Sequence, residues 1–562
     1  MKHLLNLFLF VILFSACQKE KDKYAVIIRG GTVYDGSGKP GLVTDVGINA
    51  DTVAFIGDLS KAVSEKEIDA TGLVVSPGFI NMLSWAVESL ILDGKSQADI
   101  RQGVTLEVFG EGSSMGPMSD QMKADAKADM KRNPDWQYDI DWTTLGEYLE
   151  SMERRGITPN VASFIGATTV RVHELGYENR LPSAEEMVRM KALVKVGMEE
   201  GAIGVGSSLI YAPANYSSTE ELIELCKVAS EYDGMYITHM RSEGNGIFGA
   251  VDETIRIARE AKLPAEIYHL KMAGNDNWWK LDSVLSKIDA ANKEGLKITA
   301  DMYTYPAGAT GLDASMPPWV QEGGIKVWIK RLQDPKIRKK ALEEMRKPSD
   351  TWENLLLMAG SPDRVLLLGF ANDSLKKFTG KTLAEVSKIY GKSAEETAMD
   401  LVIADSTRVG TAYFMMSEEN IKRQLALPYL SFGSDAESPA TEGVFLKSNT
   451  HPRAYGNFAR LLGKYVRDEK ALTMEEAIRK LTSLPASNLK IKKRGLLKTG
   501  YYADLAIFDP AKIQDHATFE KPHQYSTGMV HVFVNGTQVL ENGEHTGATP
   551  GRVVRGPGWT GK

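Results

Sequence analysis

The sequence predicts an α/β fold: a TIM (β/α)8 barrel, a small β-sandwich domain built from both termini, and a helical insertion. Three observations carry that expectation. The chain has 562 residues, too many for one small core. Its middle alternates short apolar runs with amphipathic helical patterns, the order of parallel βα units. Both ends are instead dense in short alternating strands broken by Gly-Gly, Asp-Gly and Asn-Gly turns.

The domains follow in chain order. Residues 1–23 form a leader and tether, and 24–72 pair with 490–545 in the small β domain. Residues 73–489 form the barrel, with an insertion at about 315–425. The barrel strands are expected at Leu73–Ile80, Val104–Phe109, Asn160–Ile165, Ile203–Ser208, Met235–His239, Ala265–His269, Lys297–Met302 and Tyr429–Ser434. Helical patterns such as Ala184–Glu200 and Thr219–Tyr232 separate them. Arg364–Leu368 and Thr411–Met416 also read as strands, which leaves the strand count open. Pro317 to about Asp350 is charged and helical, and is read as a solvated insertion between the last two barrel strands.

The net charge of −6 gives no support for nucleic-acid binding. Two cysteines, Cys17 and Cys226, make no disulfide framework. Cys226 lies in an amphipathic helix and is expected to be a buried thiol. Lys2 and His3 precede an apolar run from Leu4 to Phe14, followed by Ser15-Ala16-Cys17. That run is too short to span a bilayer, which takes about 20 residues, and reads as an export signal. Cysteine after Ser-Ala resembles the lipobox of bacterial lipoproteins. It implies lipidation at Cys17, a lipid anchor in a membrane, and an exported protein on the periplasmic or surface face of the cell envelope.

In a TIM barrel the active site lies at the C-terminal strand ends. "MYITHMRSEG" ends a strand in His239, "AEIYHLKMAG" ends one in His269 with Lys271 two residues on, "ITADMYTYPAG" offers Tyr303 and Tyr305, and "YLSFGSDAES" supplies Asp435. Two histidines at the ends of successive strands, with an aspartate ending the last, point to metal-dependent chemistry. Imidazole suits zinc, and a barrel mouth converges such donors.

These motifs, with "SPGFI", "GVTLEVFGEG", "GAIGVGSSLIYAPANYSSTEEL", "THPRAYGNFARLLGKYV" and "GYYADLAIFDP", resemble the amidohydrolase superfamily and, within it, the N-acyl-D-amino-acid deacylases. The resemblance covers roughly Tyr24 to Gly543. It implies a zinc-dependent hydrolase of N-acyl amino acids, with D configuration resting on the resemblance alone. It implies His239 and His269 as zinc ligands and Asp435 as the catalytic carboxylate. It also implies Lys271, Tyr303 and Arg453 as the residues that bind the substrate carboxylate.

Two departures stand out. The family's first strand ends in Asp-x-His-x-His, and here those positions hold Asn81, Leu83 and Trp85. The histidines serve a second, weaker metal position in the family, so one zinc per chain is expected. The family's second-strand cysteine is also absent. The matching stretch "GEGSSMGP" puts Gly112 at that position with Glu111 beside it, and Glu111 is expected to take over as the anionic ligand. Leu83 and Trp85 are expected to line the apolar side of the pocket, and His451 and His173 to be structural. Two alternatives remain: a cyclic-amide hydrolase resembling dihydroorotases and hydantoinases, and an inactive lipoprotein that binds a ligand.

Overall fold

The computed structural model describes residues 22–132 and 135–561. Cys17 and the run expected as an export signal lie outside the described residues. Among the described residues, no helix is long and apolar enough to cross a membrane.

Eight parallel strands close a barrel. In order they are Phe79–Asn81, Val104–Phe109, Asn160–Ser163 continued by Ile165–Gly166, Gly204–Ser208, Met235–His239, Ala265–Ile267, Ile298–Met302 and Leu430–Phe432. Each pairs in parallel with the next. The ring closes where the Met82 amide donates to the Phe432 carbonyl at 3.1 Å and Ser84 bridges to Ala436. The strands are buried throughout, as parallel strands covered by helices must be. Helix starts follow the side-chain chemistry. Ser183 and Glu186 form a capping box for Ala184–Glu199, and Ser218 caps Thr219–Glu231. The second of these helices buries Cys226, and burial raises its thiol pKa, which suits an unreactive group.

The run expected as one first strand, Leu73–Ile80, divides at Pro77-Gly78. Val74–Pro77 joins the small sheet, pairing with Thr32–Val33 and with Leu505–Phe508. Only Phe79–Asn81 enters the barrel. Gly78 makes the crossing possible, because a Cβ there would lie 2.2 Å from Thr105 Oγ1. Among the described residues the small sheet has nine strands. Lys23–Val33, Leu42–Asn49, Thr52–Gly57, Val63–Asp69 and Val74–Pro77 come from the N-terminal side. Leu505–Phe508, Met529–Val534, Thr537–Glu541 and Glu544–His545 come from the C-terminal side. Ile28, Val46, Ile48, Leu505, Ile507 and Phe533 form its core.

The insertion is not purely helical. It carries helices such as Ile325–Leu332, Pro335–Met345 and Ala394–Asp405, and also a three-stranded antiparallel sheet. In that sheet Gly410–Tyr413 lies between Gly308–Gly311 and Val365–Gly369. The two surplus strand signals, Arg364–Leu368 and Thr411–Met416, therefore belong here and not to the barrel. Their partner Gly308-Ala309-Thr310-Gly311 is too poor in β-branched and aromatic residues to read as a strand from sequence. After residue 545 the chain returns along the barrel, where the Val554 amide donates to the Val161 carbonyl and the Gly556 amide to that of Gly201.

Candidate active site

A cavity of about 1100 Å3 opens at the C-terminal ends of the barrel strands, where this fold places its chemistry. The second strand delivers Glu111 through Gly110-Glu111-Gly112. Gly112 has φ +71, and a Cβ there would lie 2.4 Å from Ser208 Cβ, so the turn that aims Glu111 inward needs glycine. His239 ends the fifth strand. His269 follows the sixth and Asp435 the eighth, with φ of 34 and 49, in the left-handed region that non-glycine residues seldom occupy. The fold holds both side chains in strained backbone at the point of chemistry. For His269 the restraint is visible, since its amide donates to Asp301 Oδ1 at 2.9 Å.

Glu111 is the hub. Its Oε1 lies 3.0 Å from His239 Nδ1 and 2.9 Å from His269 Nε2, and its Oε2 accepts from Trp85 Nε1 at 2.9 Å. The two imidazoles are 4.5 Å apart, nearly perpendicular. All three ligand-type residues are buried, and their donor atoms lie within 4.8 Å of one another. Behind them sits Glu243. Its Oε1 is 2.9 Å from His269 Nδ1 and accepts from Lys271 Nζ at 2.5 Å, and its Oε2 is 3.6 Å from His239 Nε2. Burial works against ionising Glu243, but Lys271 and both histidines hold its pKa well below the usual carboxylate range. Glu111 is likewise depressed against burial, by hydrogen bonds from His239 and His269. For His269, burial and the Lys271 ammonium oppose the charge, and Glu243 and Glu111 still push it up to about 10.

These residues fit a divalent metal. One ionised carboxylate and two imidazoles converge, and the far side of each imidazole faces a carboxylate, the arrangement that orients metal-binding histidines. His239 Nε2 is buried without a hydrogen-bond partner. Three protein donors with an open side match the catalytic pattern for zinc. Glu111 itself is the group on both imidazoles, and the neighbouring Gly112 supplies the turn.

A second set of polar groups faces the same space. Arg453 Nη1 is 2.8 Å from Asp435 Oδ2, and the guanidinium stacks 4.4 Å from the Tyr303 ring centroid. Arg453 Nε and the Tyr303 hydroxyl are buried and make no hydrogen bond, while Nη1 is held by Asp435. Lys271 is less free, since it donates to Glu243 and sits 2.7 Å from His269 Nδ1. Burial raises Asp435 above the ordinary aspartate range, Arg453 opposes this and Glu111 adds to it, which makes Asp435 a stronger base. Tyr305 points away, to Asp515 at 3.2 Å. His451 accepts from the Arg453 amide at 3.0 Å and pairs with the Ala307 carbonyl at 2.9 Å. Burial, then Arg453, hold it neutral, a positioning role. His173 pairs with Glu174 on its helix.

The three altered first-strand positions have distinct fates. The Asn81 amide nitrogen lies 3.1 Å from Asp99 Oδ2, 3.2 Å from Glu107 Oε2 and 2.8 Å from Ser434 Oγ, tying the first strand to the eighth. Burial raises the pKa of both acids, and Glu107 raises Asp99 further. Leu83 does not line the pocket; it is fully buried in a core with Ile80, Met82 and Leu106. Trp85 does line it. Sequence reasoning missed Glu243, although its place four residues after His239 in "HMRSEG" was a signal.

The comparisons with known proteins agree with this geometry. The model of the Amidohydrolase family matches residues 66–540. The chain is 32% identical over 542 residues to D-aminoacylase of Alcaligenes xylosoxydans xylosoxydans, covering 96% of this chain and 99% of that protein. Its structure is similar to the crystal structure of a D-aminoacylase described as defining a novel subset of amidohydrolases, with TM-score 0.77, 32% identity and 95% and 100% of the two chains covered. It is also similar to N-acyl-D-glutamate deacylase from Bordetella bronchiseptica, solved with zinc and a phosphonate mimic of the tetrahedral intermediate. There the TM-score is 0.78 and the identity 26%, again over 95% and 100% of the chains.

The support from Glu243 is testable. Glu243→Gln removes the charge behind both imidazoles and should weaken zinc binding about 10–100-fold, as loss of such a partner does elsewhere. Competition against a chromophoric chelator measures it, and an affinity equal to the parent's would remove Glu243 from the metal support.

Proposed function

Because this chain belongs to the amidohydrolase family, we propose that it is a zinc-dependent hydrolase of N-acyl amino acids, of the D series, releasing a free amino acid and a carboxylic acid. One observation carries the reading. Beside a buried carboxylate and two imidazoles suited to zinc, Arg453 Nε and the Tyr303 hydroxyl are buried donors with no partner in the protein, next to the Arg453 Nη1 that Asp435 holds. Unsatisfied buried donors are costly to keep, and an α-carboxylate satisfies them with charge-assisted bonds.

Glu111, His239 and His269 would hold one zinc. Bound there, it would supply Lewis acidity toward the amide carbonyl and toward water. The chain's own groups do the rest. Arg453 and Tyr303 fix the α-carboxylate, which places the amide carbon before Asp435. Asp435 removes a proton from the attacking water and returns it to the departing amine nitrogen. Glu243 and Lys271 keep the imidazoles oriented. The cluster is complete, which weighs against an inactive ligand-binding protein. Lys271 is engaged with Glu243 and His269, away from the bridging role that the cyclic-amide reading needs.

Export and anchoring complete the proposal. The support is the residue pattern alone: a short apolar run, Ser15-Ala16 and Cys17, then the charged "QKEKDK" as a solvated tether. Cys17→Ser should move the protein out of the membrane fraction or leave it unprocessed. Membrane association that survives the change would refute the anchor.

Asp435→Asn keeps the shape and removes the base. It should lower kcat by at least the ~10²–10⁴-fold typical of such groups while zinc content stays at one per chain, read by elemental analysis beside turnover. Near-normal turnover would assign the proton transfers to another group.

Blocking the substrate's α-carboxylate as an amide should cost on the order of 10–150-fold in kcat/KM, the loss of about 1.5–3 kcal/mol from bonds to one ionised group. Arg453→Lys should show a similar loss on the free acid and little further loss on the blocked substrate, since both changes remove one interaction. Equal turnover of free and blocked substrates would end the acyl-amino-acid reading.

A further inference from the structure

A second chamber adjoins the main cavity. It has a volume of about 400 Å3 and is lined by Val87, Met115, Met118, Met122, Tyr138 and Ile140. Trp85, Met122 and Glu437 border both spaces. The wall is built, not a gap between loops. The Tyr138 hydroxyl donates to Glu88 Oε1 at 2.5 Å, Trp142 stacks on Tyr138 and Trp142 Nε1 donates to the Met115 carbonyl at 2.6 Å. With these polar groups satisfied, mainly apolar surface faces the chamber. Methionine, unbranched and polarisable, adapts to flexible apolar ligands.

Its position in the barrel says what enters it. The free carboxylate-binding donors sit on the side of the seventh strand and the segment after the eighth, at Tyr303 and Arg453. The chamber sits on the side of the first and second strands, behind Trp85, which bonds to Glu111. In an N-acyl amino acid, the α-carboxylate and the acyl chain leave the scissile amide in opposite directions. A substrate whose carboxylate is on Arg453 and whose amide is over Glu111 and Asp435 directs its acyl chain toward Trp85.

We infer that this chamber binds the aliphatic acyl chain of the substrate, making the protein selective for medium to long acyl groups over acetyl. The inference rests on the N-acyl-amino-acid reading and names the acyl class. At about 30 Å3 per small group, the share of a water in the liquid, the chamber takes a chain on the order of ten carbons.

The test is calorimetric titration of the zinc-loaded Asp435→Asn protein with N-acetyl-, N-hexanoyl-, N-octanoyl- and N-decanoyl-D-alanine. Affinity should climb by about fourfold per methylene until the chamber is full, with a heat-capacity change that grows more negative along the series. Ala126→Phe, from the helix Asp120–Arg132 whose Ala126 also lines the chamber, should flatten the series and reduce the octanoyl-to-acetyl ratio by at least tenfold. If acetyl binds and the series is flat in the parent, the chamber inference fails and the substrate reading stands. If the Ala126→Phe series is as steep as the parent's, the chain lies elsewhere and the inference also fails. If no member binds, acetyl included, the substrate reading fails and takes the inference with it. The parent series decides the matter even if Ala126→Phe does not fold.

Discussion

One buried carboxylate, Glu111, organises the barrel mouth. A charge removed from water is tolerated only when its surroundings replace the lost hydration. Glu111 has both oxygens committed, one to two imidazoles and the other to the Trp85 indole. The imidazoles must then be held in place, and Glu243 does so for His269 from its far side, 2.9 Å from Nδ1, while lying 3.6 Å from His239 Nε2. Glu243 is a second buried negative charge, which Lys271 compensates. Three acidic groups, two histidines, a lysine and an arginine thus form one continuous set from Trp85 to Asp435 and Arg453. Removing any member leaves a neighbour's charge uncompensated. A divalent cation held by Glu111, His239 and His269 would supply positive charge where the two carboxylates favour a proton on His269.

The altered first strand follows from the same constraint. Where relatives carry an aspartate and two histidines, Asn81 lies among Asp99, Glu107 and Ser434. Its amide nitrogen donates into a site where burial favours a proton on the acids. Leu83 turns its position into barrel core. Trp85 brings only a donor, and indole N–H cannot ligate a metal. Its single proton is spent on Glu111 Oε2, which leaves Oε1 for the imidazole side. Asn81, Leu83 and Trp85 offer neither imidazole nor carboxylate, and the Trp85 indole fixes one oxygen of Glu111.

The barrel was legible because its strands are short apolar runs at regular spacing, and the polar residues that end them stand out against that background. His239, His269, Lys271, Tyr303 and Asp435 could be read for that reason, and the resemblance added Glu111 and Arg453 and gave Lys271 and Tyr303 their roles. Glu243 was missed because it acts from a loop, through charge on the back of His269, and its spacing four residues after His239 is a weak mark outside any helix or strand. Leu83 was misplaced because the strand ends at Asn81, so two-residue alternation no longer puts positions 83 and 85 on one face: Leu83 packs beneath the mouth while Trp85 reaches the cavity. The division of Leu73–Ile80 between two sheets was hidden by its continuous apolarity, and only Pro77-Gly78 marks the crossing. The strand Gly308–Gly311 carries no sequence signal of its own, because its pairing with Gly410–Tyr413 across the insertion is what makes it a strand.

These differences divide the molecule by function. The metal-site and base residues sit at or just beyond the ends of strands fixed by eight-fold pairing, where a shift of register would dismantle the barrel itself. The surfaces that meet the rest of a substrate come from other sources. The insertion sheet contributes Ala309 and Thr411, the segment after the second strand contributes Met115 to Met122, and His523 of the C-terminal segment reaches the cavity from the small domain. Loops of this kind change without loss of the barrel. Chemistry is therefore constrained by charge balance around Glu111, whereas the rest of the cavity surface comes from segments outside the strand ends. Trp85 is the residue where the two constraints meet. Its indole nitrogen serves the buried carboxylate and its ring faces both the cavity and the chamber, so a change there acts on the metal site and on substrate shape together.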